Sequence, residues 1–458
     1  MTARRPNIIV ITCHDLGDYL GCYGTPVHTP NLDGLAAQGA TLENHHAPAS
    51  ICSPARGSLW TGCYPHTHGL MGLVPRGWEL DVDRCPALPQ MLKRAGYESH
   101  LFGLQHEHWN PARLGYDVVH DVQSDFCDHV TPVFTEWLKT RSGSEQPFLA
   151  NVGFFDPHRI GLASQGFQPE LLNQHPSHFW RDVYARVDPD TVEVRPYLLD
   201  TPELRTELAD FYAAIQFVDQ MIGHITDTLD ATGLSDNTLV MFVIDHGASF
   251  LHSKGTLYDG GTKVACLMRW PGVIPAGQRV TALSSHIDIV PTVLELLHIL
   301  VPAQVDGQSF ARQLQGDHQR AREYVFAEKN YTQYFDPTRM VRSSRFKYIR
   351  RGIRSSIFDF VLTEIEMSAA SFRNNPDVFR FYSSARCTEE LYDLAADPGE
   401  LNNLAKDTAY TAELQVLRAV LDAHLDATDD PFRHLRIDLQ MPADVYADVK
   451  GLRSGRDR

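Results

Sequence analysis

The chain predicts an α/β fold, a large and mainly parallel sheet sandwiched by helices, followed by a smaller C-terminal α+β domain with an antiparallel sheet. Three observations carry this. Short apolar runs recur between stretches of helical periodicity, the pattern of strands buried on both faces and joined by crossover helices. Several helical stretches open on proline and close on glycine. After about residue 320 the alternation gives way to strand-like pieces in succession, so the expected division is 1–320 and 321–458.

The elements follow in order. "PNIIVIT" (6–12) reads as the first strand and "TPNLDGLAAQG" (29–39) as a helix. In "CSPARGSLWTG" (52–62), Pro54 has its φ preset for a first helical turn and Gly62 closes the helix, so Cys52 sits at a helix N-terminus. "PALPQMLKRAGY" (86–97) gives another helix, and "YESHLFG" (97–103), "PFLANVGFF" (147–155) and "NTLVMFVI" (237–244) further buried strands. The longest helix begins near Thr201 and Pro202, because Leu204, Leu208, Phe211, Ile215, Val218, Ile222, Ile225 and Leu229 recur at helical spacing before Gly233. Beyond residue 320, "REYVFAE" and "MVRSSRFKYIRR" read as strands. "EELYDLAADPGELNNLA" and an amphipathic helix from Ala412 to Leu425 follow.

Composition narrows the function. With 458 residues and 43% hydrophobic content, the chain can bury a large core, and no apolar run approaches a membrane span. The start "MTARRPNIIVITCHD" runs straight into the first strand, too short in apolar length for a secretory leader. Eight cysteines without C-x-x-C spacing suggest neither a disulfide framework nor a thiolate zinc site, which points to a reducing, cytoplasmic location. A net charge of −16 argues against nucleic acid or acidic membranes as partners. An anionic substrate must be drawn by a local cluster of charge.

Ligands of open α/β sheets bind beyond the carboxyl ends of the strands. The apolar strands run into His14 and Asp15; Gln105, His106, Glu107 and His108; Asp156, His158 and Arg159; and Asp245 and His246. Asp15, Asp245 and His246 can supply a divalent metal. Lys254 and His252 in "LHSKGTLYDGG", with the remaining histidines, can supply cations and proton carriers. Cys52 at a helix start, with Arg56 one turn along the same face, makes a small anion site.

These residues resemble the formylglycine-dependent sulfatases of the alkaline-phosphatase-like superfamily, whose signature is C-x-P-x-R followed by T-G, here "CSPARGSLWTG". The resemblance extends to "DLGDYLGCYG", "DHG", "KGTLYDGG" and "ELYDLAADPGELNNLA". "FFDPHR" and "HGLMGL" are most similar to the heparan N-sulfatases, or sulfamidases. It implies that Cys52 is oxidised by a formylglycine-generating enzyme to an aldehyde whose hydrate is a geminal diol. One diol oxygen attacks sulfur and the other then expels sulfate, which a serine could not do. It further implies that Asp15, Asp245 and His246 bind the metal, that Arg56 holds the diol, that His106 and His158 are the active-site histidines, and that Lys254 holds sulfate. Two positions depart from the family. His14 stands where many members have an aspartate, and Leu104 where many have a lysine. Calcium is the family default, but histidine ligands suit manganese or zinc; Gln105, Arg159 and His108 are the candidates to compensate the lost lysine, and His252 is a further substrate-binding candidate.

The expected function is therefore a sulfatase acting on a sulfate ester or sulfamate of a small sulfated sugar, possible as a homo-oligomer. A phosphonate or phosphate ester hydrolase of the same superfamily and a catalytically idle sugar-sulfate binding protein are the alternatives.

Overall fold

Every residue of the first strand, Asn7–Cys13 (β1), is buried, because its alternate side chains serve two cores. Ile9, Ile11 and Cys13 join one apolar cluster and Ile8 and Val10 the other. The computed structural model describes residues 5–160, 179, 181–317, 319, 322–332, 335–352 and 387–434. Within them the large sheet continues through β2 (Ala40–His46), β3 (Glu98–Gly103), β4 (Val118–His120), β5 (Phe148–Gly153), β6 (Thr238–Ile244), β7 (Cys266–Arg269) and β8 (Gln278–Ser285). Across the sheet the order is β4-β3-β5-β1-β6-β7-β2-β8. All neighbours pair parallel except β7, which runs antiparallel to both β6 and β2.

Helices cover both faces. The helix Pro202–Ala231 is capped by Thr201, whose hydroxyl accepts from the Leu204 N–H at 3.2 Å. It buries Leu208, Phe211, Ile215, Val218, Ile222, Ile225 and Leu229 beside Val130, Phe134 and Leu138 of the helix Cys127–Lys139. Each such side chain contributes about 1.5–3 kcal/mol relative to exposure. On the opposite face, Leu88, Met91 and Leu92 join Ile289, Val290, Val293 and Leu294. Among the described helices none is long and apolar enough to cross a membrane.

A second sheet holds β9 (Val325–Tyr331), β10 (Phe335–Arg342), β11 (Phe346–Arg351) and β12 (Glu389–Asp393), all antiparallel in the order β12-β11-β10-β9. The run expected as one strand piece, "MVRSSRFKYIRR", is a hairpin instead. Ser343 breaks it, its hydroxyl accepting from the N–H groups of Arg345 and Phe346. The helix Thr411–Ala427 lays Leu414, Leu417, Leu421 and Leu425 on Val341, Tyr348 and Leu391 of this sheet. The two sheets are joined by polar contacts. The Glu328 N–H donates to the Pro48 carbonyl at 2.8 Å, and the Tyr258 hydroxyl to Glu390 at 2.8 Å.

Candidate active site

Four neighbouring strands, β3, β5, β1 and β6, end at one edge of the sheet. Register sets their exits level: Cys13 lies opposite Ile244, Thr12 opposite Gly153, and Gly153 opposite Gly103. The chain thus delivers His106, His158, the pair His14–Asp15 and the pair Asp245–His246 side by side. Gly153 has no room for a side chain, since a Cβ there would meet the Leu104 carbonyl oxygen at 2.1 Å. Asp15 turns through the left-handed region at φ 52°, a strained conformation for a residue with a side chain, and its N–H donates to Asp245 Oδ1 at 3.0 Å.

The helix Cys52–Thr61 brings its N-terminus to the same edge. The Sγ of Cys52 lies 3.2 Å from His246 Nε2. His246 contacts the Gly247 carbonyl through Nδ1 at 2.9 Å, and because a carbonyl only accepts, Nδ1 carries a proton. One turn further on, Arg56 is fully buried. Its Nε donates to Glu107 Oε1 at 2.8 Å and its Nη2 to Thr12 Oγ1 and the Leu104 carbonyl at 3.2 Å, while Nη1 is buried without a hydrogen-bond partner. The second Glu107 oxygen accepts from the His106 N–H at 2.9 Å, so one carboxylate positions both Arg56 and His106.

Asp15 Oδ1 and Asp245 Oδ2 are buried and accept no hydrogen bond. His246 Nε2 stands 3.4 Å from the first and 3.6 Å from the second, and His14 Nδ1 3.0 Å from Asp245 Oδ2. Two carboxylate oxygens without hydrogen bonds, facing imidazole nitrogens in a buried pocket, fit a divalent cation. The mixed donors suit manganese, iron or zinc better than calcium. Lys254 neutralises part of this charge, its Nζ donating to Asp15 Oδ2 at 2.7 Å and to His158 Nε2 at 3.1 Å. His158 is oriented for this, because its Nδ1–H donates to the Arg159 carbonyl at 2.7 Å. Burial pushes Asp15 up, but His158, Lys254 and His246 outweigh it and hold the carboxyl at about 2. Burial pushes His14 down to about 4 against the pull of Asp245, and pushes His106 well below the ordinary imidazole range.

The structure therefore gathers Cys52, Arg56, His106, His158, Lys254, Asp15, Asp245, His246 and His14. The four expected substrate contacts, Gln105, His108, Arg159 and His252, also make contacts within the protein. Gln105 braces its own loop, accepting from the N–H groups of Glu107 and His108 and donating to the His108 carbonyl. His108 accepts from the Asn110 N–H and faces Glu79 at 3.7 Å. His252 stacks on Tyr258 with centroids 3.8 Å apart. The Arg159 guanidinium pairs with Glu207 at 2.5 Å, donates to the Ser249 carbonyl and lies 4.2 Å over the Phe179 ring. Glu107 has no role in the sequence reading. Its only signal is an acidic residue between two histidines just past a buried strand.

Such an edge can hold a small tetrahedral anion, the kind of group that hydrolases of anionic esters act on. The chain belongs to the sulfatase family, a family of sulfuric ester hydrolases: the family model "Sulfatase" matches residues 6–299, and "N-sulphoglucosamine sulphohydrolase, C-terminal" matches residues 247–364. The human N-sulphoglucosamine sulphohydrolase is 27% identical over 94% of this chain and 92% of its own length. A protein solved in complex with its substrate D-glucosamine-2-N,6-O-disulfate superposes with a TM-score of 0.68 at 19% identity, covering 93% of this chain and 98% of that one. The phosphonate monoester hydrolase of Agrobacterium radiobacter superposes with a TM-score of 0.66 at 22% identity, covering 93% and 96%. These structural likenesses show the alkaline-phosphatase-like fold.

Proposed function

We propose that the protein hydrolyses a sulfate ester or sulfamate on a small sulfated sugar, using a formylglycine made from Cys52. The observation that carries this is Cys52 at a helix start, its Sγ 3.2 Å from His246 Nε2, with the unpartnered Arg56 Nη1 one turn away. Once formed, the hydrated aldehyde supplies two hydroxyls, one to displace the sugar from sulfur and one to release sulfate. Asp15, Asp245 and His246, with His14 beside them, would hold a divalent cation, which would supply charge neutralisation in the transition state. The protein's own groups do the rest. Arg56 orients the nucleophile through Nη1, and Glu107 keeps that guanidinium aimed. His106, kept neutral by burial, accepts a proton from the diol. His158 and Lys254 face the leaving side, where the lysine ammonium delivers a proton through His158 Nε2 or directly to the departing oxygen or nitrogen. The match of residues 247–364 to the sulphohydrolase C-terminal model supports a sulfamate as the first substrate to test. That none of the eight cysteines forms a disulfide supports a reducing compartment as the site of action.

The test is direct. Mass analysis of the peptide carrying Cys52, from protein made with a formylglycine-generating enzyme, shows the loss expected when an aldehyde replaces a thiol. Cys52→Ala abolishes turnover with the fold intact, and Cys52→Ser stops after at most one turnover with sulfate trapped on the enzyme. Undiminished hydrolysis by Cys52→Ala refutes the reading. Turnover of a phosphonate or phosphate ester in place of sulfated sugars reassigns the substrate, and binding of sulfated sugars without turnover of either class identifies a binding protein.

A further inference from the structure

Behind the candidate cation site lies a file of buried polar groups that the reaction above does not use. Ser284, at the end of β8, places its Oγ 2.9 Å from His45 Nδ1 on β2. His45 Nε2 lies 2.9 Å from His286 Nδ1, and His286 Nε2 lies 2.9 Å from the backbone carbonyl oxygen of Asp245. All four residues are buried, both histidines fully.

The direction of this file is fixed by its last member. A carbonyl oxygen only accepts, so His286 Nε2 carries a proton. Both rings are fully buried with only neutral hydrogen-bond partners, a hydroxyl, a second imidazole and a peptide carbonyl, so each carries a single proton. His286 Nδ1 is then a bare acceptor and must receive the His45 Nε2–H. His45 Nδ1 is in turn bare and must receive the Ser284 hydroxyl proton. The file continues through the peptide unit it ends on: the carbonyl of Asp245 takes the bond from His286, and the N–H of the same unit, that of His246, donates to Asp245 Oδ1 at 2.8 Å. Aligned hydrogen bonds polarise one another.

We infer that Ser284, His45 and His286 form a one-way hydrogen-bond relay that acts through the Asp245–His246 peptide unit to occupy Asp245 Oδ1 and hold Oδ2 free toward the cation. The three are positioning residues for the cation site, an inference that rests on reading Asp245 as a cation ligand. Oδ1 already receives the N–H groups of Asp15 and His246, whereas Oδ2 receives no hydrogen bond and faces His14 and His246. Losing the relay loosens that division between the two oxygens. Partners that orient metal ligands from behind typically contribute 10- to 100-fold in metal affinity or activity.

The experiment has two arms. In protein labelled with 15N-histidine, the signals lost in His45→Phe and His286→Gln identify the two rings, and at pH 7 both show the neutral Nε2–H form. An Nδ1–H form or an imidazolium at either residue overturns the relay. In the second arm, manganese affinity is measured by chelator competition on the folded, cation-free protein. His45→Phe and His286→Leu each weaken it by about tenfold or more, whereas His286→Gln, whose amide can still donate to the Asp245 carbonyl, recovers most of the loss. Folded variants with unchanged affinity, or glutamine behaving like leucine, overturn the positioning role. A wild-type protein with the expected ring protonation that binds neither manganese, zinc nor calcium refutes the cation reading instead.

Discussion

The pair Arg56–Glu107 separates structural from chemical roles more cleanly than any other in the site. Both side chains are fully buried at 2.8 Å, where an effective dielectric near 20 gives a gross attraction of about 6 kcal/mol. Removing one partner strands the other charge, a loss of about 3–5 kcal/mol, while removing both costs far less. Arg56→Met and Glu107→Gln should each lower the midpoint of chemical denaturation, and the double variant should recover most of that loss. Activity should behave differently. Arg56→Met lowers kcat/KM on a sulfated sugar by about 100-fold or more, the scale of one transition-state stabiliser, and the double variant stays as slow as Arg56→Met. The difference follows from Nη1, which Glu107 does not touch and which has no other partner. If the double variant recovers activity along with stability, Arg56 merely neutralises Glu107 and the reasoning fails.

Other outcomes are expected together. Lys254→Met keeps the aliphatic stem but removes the ammonium from Asp15 and His158, so kcat/KM falls by about 100-fold; unchanged steady-state kinetics would show that the pocket lies elsewhere. Elemental analysis of protein purified without added metal finds one divalent ion per chain, chelation stops turnover, and manganese or zinc restores it better than calcium because imidazoles share the site; recovery with calcium alone removes His14 from the ligand set. Glu400 is buried, pushed up to about 7 by desolvation against the pull of Lys347. Its folded form therefore keeps a proton that the unfolded chain loses above about 4.5, and stability declines as pH rises from 4.5 to 7. Glu400→Gln flattens that decline in thermal melts across the window, and parallel curves for the two proteins would refute it.

The strands that carry the site were legible because β1, β5 and β6 are mostly apolar, β3 turns apolar at Leu101 and Phe102 after its polar start, and all four stop at chemistry-bearing residues. Thr201 and Gly62 likewise marked helix ends where the structure has them. What escaped has physical causes. The strand β2 reads "ATLENHH", with polar residues where a buried strand calls for apolar ones. His45 is tolerated there because Ser284 and His286, more than two hundred residues away, satisfy its ring. The helix Cys127–Lys139 contains Pro132, which reads as a break. Residue type made Arg159, Gln105 and His252 candidates for the site, and it did not show that Glu207, a loop amide and an aromatic ring contact them. A side chain's nearest partner is a property of the folded chain, and no local pattern encodes it.

The reversed strand β7 has a topological consequence. A parallel connection must carry the chain back to the far edge of the sheet before the next strand can begin, and most of its length goes into that return. Between β6 and β7 no return is needed, because the second strand starts where the first one stops. All of residues 245–265 can therefore remain at the reactive edge, which is how one uninterrupted segment contributes a carboxylate and an imidazole at its beginning and an ammonium nine residues later. The chemistry of this edge can accordingly be altered by lengthening or replacing a single loop, with the packed layers beneath left as they are.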